Sequence, residues 1–185
     1  MFFQTTRPSM RCLMVCTANI CRSPMAQAVM QHLVAAQDTT QDATQGAGWR
    51  IQVDSAGLHG HLTGERPDRR AAQALMRRGY TVGQGRARLL TRHDLQHFDL
   101  ILAMDSHNLA ALKQLGTPDQ QGKMHRLLDF AEHLLEKDID DPYFGPAQGF
   151  DAVLALCEAG CSGLLNQLVK KVLNAPLTGI SGGRP

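Results

Sequence analysis

The chain has 185 residues, 43% of them hydrophobic and 19% charged, with a formal net charge of +2. That length suits one domain with a real core rather than two, and so small a charge leaves no footprint for nucleic acid, so any anion site must be local. No stretch approaches the roughly 20 apolar residues of a membrane span, the N-terminus lacks the pattern of a secretory signal, and five cysteines are too few and too odd a number for a disulfide framework, which together place a reduced protein in the cytoplasm.

Residues 1–10 read as an N-terminal tail, 11–173 as the single domain, and the Pro/Gly/Ser-rich 174–185 as a C-terminal tail. Short apolar runs at 12–16, 49–56, 98–104 and 123–130 read as strands. Segments of helical period follow them at 23–37, 66–79, 106–116 and 151–173, and the polar tract 37–48 reads as an enlarged surface loop. Strand and helix in alternation build βαβ units, so the expected fold is α/β, an open four-stranded parallel sheet with helices on both faces.

The turn after the first strand carries the chemistry, in the segment "VCTANICRSP" from Val15 to Pro24. In open α/β sheets the ligand crevice lies beyond the carboxyl ends of the strands, where Cys16 falls. Ser23 and Pro24 read as an N-cap and a first helical residue, leaving Thr17 to Cys21 as a tight connection. Amides of such a connection, with the helix dipole, favour an anion and stabilise a thiolate over a thiol. Arg22 adds a fork suited to two oxygens of a tetrahedral oxyanion. The bare Cys-x5-Arg spacing carries no weight in a chain with 14 arginines; the following serine, with a strand before and a helix after, makes the signal specific.

Here the residues resemble the low-molecular-weight protein tyrosine phosphatases. The likeness continues in "DSAGL", "RPDRRA", "LILAMD" and "DDPYFG", covering roughly residues 11 to 173 in the family's order. It implies a flavodoxin- or Rossmann-like fold and hydrolysis of phosphotyrosine and small aryl phosphates through a Cys16-phosphate intermediate, with no metal and no cofactor. It also implies a tyrosine-phosphorylated protein as substrate, and it extends to a bacterial tyrosine kinase as partner. Residue by residue, Cys16 would be the nucleophile, Arg22 the phosphate clamp and Ser23 a hydroxyl bonded to the thiolate. The phosphate-binding loop would comprise Thr17, Ala18, Asn19, Ile20, Cys21 and Ser23, with Asn19 holding it in a strained form supported by Ser55. Ala18 departs from the family, which usually has glycine there, so a positive φ at that residue would add strain.

A leaving phenolate needs a proton donor, and the intermediate then needs a base for water; one carboxylic acid serves both. Asp141 precedes Pro142, which biases it to extended backbone, while Gly145 and Pro146 close the loop. Asp138 and Asp140 disfavour a further negative charge there, as suits an acid that must start protonated. By residues alone Asp-Pro equally begins a turn; the resemblance makes Asp141 the general acid, with Tyr143 and Phe144 walling a deep aryl slot opposite His61.

Cys21 reads either as a small apolar filler or as a partner that traps oxidised Cys16 in a disulfide. Cys157 and Cys161 share a helical stripe with Leu164, Leu165 and Leu168, so core packing is favoured, as it is for Cys12. His93 and His97 have metal-ligand spacing but no third ligand, and read as surface residues. Asp105 either orients the site or caps the next helix. Two other functions compete: a thiol-dependent arsenate reductase, which needs further redox cysteines on a mobile segment, and a non-catalytic phosphate-binding adaptor.

Overall fold

The computed structural model describes residues 9–40 and 50–173. Parallel strands run in the order β2 (Arg50–Gly57), β1 (Ser9–Cys16), β3 (Leu100–Ala103), β4 (Met124–Arg126). β1 is interior because its residues are apolar on both faces. Cys12, Met14 and Cys16 enter one core with α1 (Arg22–Thr40), α2 (Arg69–Arg77) and α6 (Gln148–Leu173). Leu13 and Val15 enter a second core, with α3 (Arg92–His97) and α4 (Ser106–Leu115). The expected α/β sheet with helices on both faces is therefore the fold.

Several boundaries differ from the sequence reading. Ser9 and Met10 belong to β1, paired with Arg50 and Ile51, not to a tail. α1 continues to Thr40, so 37–40 are helical; the rest of the expected loop, Trp49, residues 1–8 and the tail 174–185 lie outside the described residues. β4 stops at Arg126 because the Asp129 carboxylate accepts the Arg126 amide at 3.0 Å, curling 127–130 into a 3-10 turn. α3 and α5 (Pro118–Gln121) were not anticipated; α3 rests on a capping box between Thr91 and Asp94, not on periodicity.

α6 corrects the membrane reading, since Gln148–Lys170 is long and apolar enough to cross a bilayer by length and composition. Its apolar stripe is instead spent inside the domain, where Phe150, Leu154, Cys157, Cys161 and Leu164 are fully buried. The helix lies so close to the 3-10 turn that a Cβ on Gly163 would sit 2.0 Å from the Phe130 carbonyl oxygen.

Candidate active site

The loop between β1 and α1 wraps around one sulfur. Cys16 Sγ lies 3.0 Å from Ser23 Oγ and accepts the Asn19 amide at 3.3 Å. Asn19 is the positive-φ residue of the loop, at 58°, and its side chain donates to Ser23 Oγ at 3.0 Å and Ser55 Oγ at 2.8 Å. Ala18 is not among the positive-φ residues, so the strain anticipated there falls on its neighbour, whose carboxamide tolerates left-handed backbone better. α1 begins at Arg22, one residue earlier than expected. Ser23 is therefore inside the helix, and its hydroxyl faces Cys16 and the Ala56 carbonyl.

The following segment braces the loop through backbone bonds. Leu58, His59 and Asp68 donate their amides to the carbonyls of Cys16, Thr17 and Ile20. Gly57 passes so near that a Cβ on it would lie 2.9 Å from the Ala18 carbonyl carbon.

Arg22 is buried and splits its guanidinium between two tasks. Nη1 donates to the Asp105 carboxylate and, at 2.9 Å, to the Ile139 carbonyl. Nη2 donates to Thr17 Oγ1 at 3.0 Å and Asp141 Oδ2 at 2.6 Å, while Nε is buried with no partner. Burial opposes the charge, yet Cys16, Asp141 and Asp105 outweigh it and hold Arg22 protonated beyond the usual arginine range. Nε is thus the one guanidinium nitrogen of Arg22 without a partner, on the edge it shares with Nη2. Asp105 accepts from Arg22 Nη1 with one carboxylate oxygen and from the Asn108 amide with the other, at 2.6 Å, as the α4 cap.

A pocket of about 230 Å³ opens over this floor, lined by Cys16, Arg22, Asp141, His61, Tyr143 and Phe144 among others. Tyr143 and Phe144 meet edge to face at 5.0 Å. Phe144 is 98% exposed, so it stands at the mouth rather than forming a deep wall. Of the two like charges expected beside Asp141, that of Asp138 is directed elsewhere: it accepts from Ser106 at 2.7 Å and faces Arg126. Although burial pushes the Asp138 carboxyl up, Ser106 and Arg126 more than reverse it, to below the usual carboxylate range. The cation beside Asp141 is Arg22 itself.

Two side chains were missed by the sequence reading. Arg70 donates to the carbonyls of Tyr143 at 2.9 Å and Gly145 at 3.1 Å and lies 4.5 Å from the Phe150 ring centroid, anchoring the Asp141 loop to α2. Its motif was visible, but nothing in "RPDRRA" separates it from Arg66 and Arg69. Arg88 caps Asn19 with its amide and bridges Asp54 and Asp94. The other cysteines are buried thiols: burial pushes Cys12 and Cys157 up to about 12, and Cys21 far above its usual range. Among the described residues no three His, Cys, Asp or Glu side chains gather to hold a metal ion; His93 and His97 stack at 5.4 Å on α3.

A parallel sheet whose interior strand β1 ends in a buried thiol that accepts the Asn19 amide, beside a buried arginine and under an open pocket, defines an α/β protein with a polar cleft at the strand's carboxyl end. The family model described as "Low molecular weight phosphotyrosine protein phosphatase" matches residues 11–174, and the chain belongs to that family. It is 35% identical to the human low molecular weight phosphotyrosine protein phosphatase, over 84% of this chain and 93% of that one. The crystal structure of YfkJ from Bacillus subtilis superposes with a TM-score of 0.78 at 33% identity, covering 91% of this chain and 98% of that one. The structure of DARP, drosophila arginine phosphatase, does so with a TM-score of 0.75 at 32% identity, covering 86% and 98%. The chain is accordingly a hydrolase, a protein-tyrosine phosphatase acting on phosphoproteins.

Proposed function

We propose that the enzyme hydrolyses phosphotyrosine in two steps, through a phosphate carried on Cys16. The observation that supports this most is the convergence of Cys16, Arg22 and Asp141 on one pocket, with the Asp141 carboxyl 2.6 Å from Arg22 Nη2. An entering phosphoryl group takes over the Nε and Nη2 edge of Arg22, which leaves the Asp141 carboxyl beside the ester oxygen. The Cys16 thiolate attacks phosphorus, the S–P bond forms as the P–O bond breaks, and Asp141 passes its proton to the departing phenolate. Water then attacks phosphorus, gives a proton to Asp141, and the S–P bond breaks to return the thiolate. Amides of residues 17–21 and Arg22 hold the charge that builds on the phosphoryl oxygens.

Tyr143, Phe144 and His61 flank the aryl group of a tyrosine-phosphorylated protein, of which a tyrosine kinase is one candidate. Free cysteines, all five buried, fit a reducing compartment and hence the cytoplasm. Arsenate reduction is disfavoured because Cys157 and Cys161 are fully buried on a core helix, not on a segment that can reach Cys16.

Hydrolysis of p-nitrophenyl phosphate in the presence of chelator tests the reading. Wild type should turn over normally, Cys16→Ser should lose activity nearly completely, and Asp141→Ala should fall roughly a hundredfold or more in turnover. Activity surviving in Cys16→Ser, or abolished by chelator, would overturn it.

A further inference from the structure

The hydrogen bonds behind Cys16 form a chain whose proton order follows atom by atom, because two backbone groups at its ends can each play one role only. The Arg88 amide can only donate, and it lies 3.0 Å from Asn19 Oδ1. The Asn19 carboxamide must therefore turn its two N–H bonds inward, to Ser23 Oγ and Ser55 Oγ. The Val53 carbonyl can only accept, and it lies 3.4 Å from Gln27 Nε2. Gln27 Oε1 is then the atom that meets Ser55 Oγ, at 2.7 Å. Ser55 accepts from Asn19 and so gives its single proton to Gln27. Ser23 likewise accepts from Asn19, and its proton is left for Cys16 Sγ at 3.0 Å, the Ala56 carbonyl at 3.4 Å being the more distant choice.

Without an acceptor at Gln27, the Ser55 proton is free to swing toward the Asn19 amide, where donor meets donor. Asn19 then loses its bond to Ser55, and only the Arg88 amide still holds the carboxamide that donates to Ser23. We infer that Gln27, one turn beyond Ser23 on α1, is a positioning residue that aims the Ser23 hydroxyl proton at Cys16 through Ser55 and Asn19. The inference rests on Cys16 being the nucleophile. No motif marked Gln27, whose exposed neighbour Gln31 also donates to the Val53 carbonyl, at 3.1 Å, yet forms no bond with Ser55.

The test is the pH dependence of Cys16 carboxymethylation by iodoacetate, read on the Cys16 peptide by mass spectrometry. In Gln27→Met the alkylation midpoint should rise by about half to one pH unit, roughly three- to tenfold less reaction below the midpoint, as befits one lost hydrogen bond. Gln27→Asn, which keeps an amide but falls short of Ser55, should behave the same way. The double variant Gln27→Met, Ser55→Ala should match Ser55→Ala alone, since Gln27 acts through Ser55. Gln31→Met should follow wild type. The charged and titratable groups around the chain, namely Arg22, Cys21, Asp141, His61, Cys157 of α6, and Asp54 and Arg88 beside Ser55, are unchanged in all these variants. A Gln27→Met profile that coincides with wild type, or effects that add in the double variant, would refute the positioning role. Failure of the nucleophile reading would appear separately, as phosphatase activity surviving Cys16→Ser.

Discussion

Asn19 holds left-handed backbone, a conformation that costs a non-glycine residue about 1–2 kcal/mol. Its amide and carboxamide offset this with bonds to Cys16, Ser23, Ser55 and Arg88. The next residue that matters at this scale is Gly57, whose missing Cβ lets β2 pass the loop. An added methyl would meet the Ala18 carbonyl carbon at 2.9 Å and the Asn19 nitrogen at 3.1 Å, both backbone atoms that no rotamer change can move. Gly57→Ala should therefore lower turnover roughly ten- to a hundredfold by shifting the loop, while thermal unfolding shows only a modest loss. A wild-type kcat would show that the loop yields without consequence. That Cys16, Arg22 and Ser23 meet at one loop was legible in sequence because they lie within eight residues. The partners of Arg22 were less so: Asp105 and Asp141 are 83 and 119 positions away, and spacing alone cannot say that both reach one guanidinium. Nor could it show that the strain lies on Asn19 rather than Ala18, since adjacent dihedrals leave no compositional trace.

Among the elements, α2 ties the Asp141 loop to the Cys16 loop. Asp68 caps the helix, donates its amide to Ile20 and holds Arg70, which in turn holds Tyr143 and Gly145. The hydrogen bond from Arg70 holds the Asp68 carboxyl below its usual range. A group lowered on folding stabilises the fold at pH values above its unfolded titration and loses that contribution as pH falls through its folded one. Asp68→Asn should consequently melt below wild type near neutral pH, and the gap should close as pH drops below about 4. Melting curves across that range decide it; a gap independent of pH would mean that the charge on Asp68 contributes nothing. Long periodic elements such as α1 and α6 were readable from their apolar stripes. α3 and α5 were not, because four to six residues complete too little of a helical period to register, and α3 depends on side-chain caps instead.

At the scale of the molecule, the alternation of strand and helix sufficed for a parallel sheet, and the apolar β1 for its interior place. The order β2-β1-β3-β4 has a consequence in time. Arg22 belongs to the second element made, yet its anchors are Asp105 after β3 and the Ile139 carbonyl 117 residues onward. Refolding from urea should therefore return activity together with the slowest burial signal and not before it, because these contacts close large loops. Activity returning ahead of that signal would mean that a partial sheet suffices. A chain leaving the ribosome carries Cys16 long before its arginine has anything to lean on. The nascent Cys16 thiol meets the cell without an anchored Arg22, without its ordered donors and without Asp141, and gains those neighbours only once the last strand and the loop beyond it have been made.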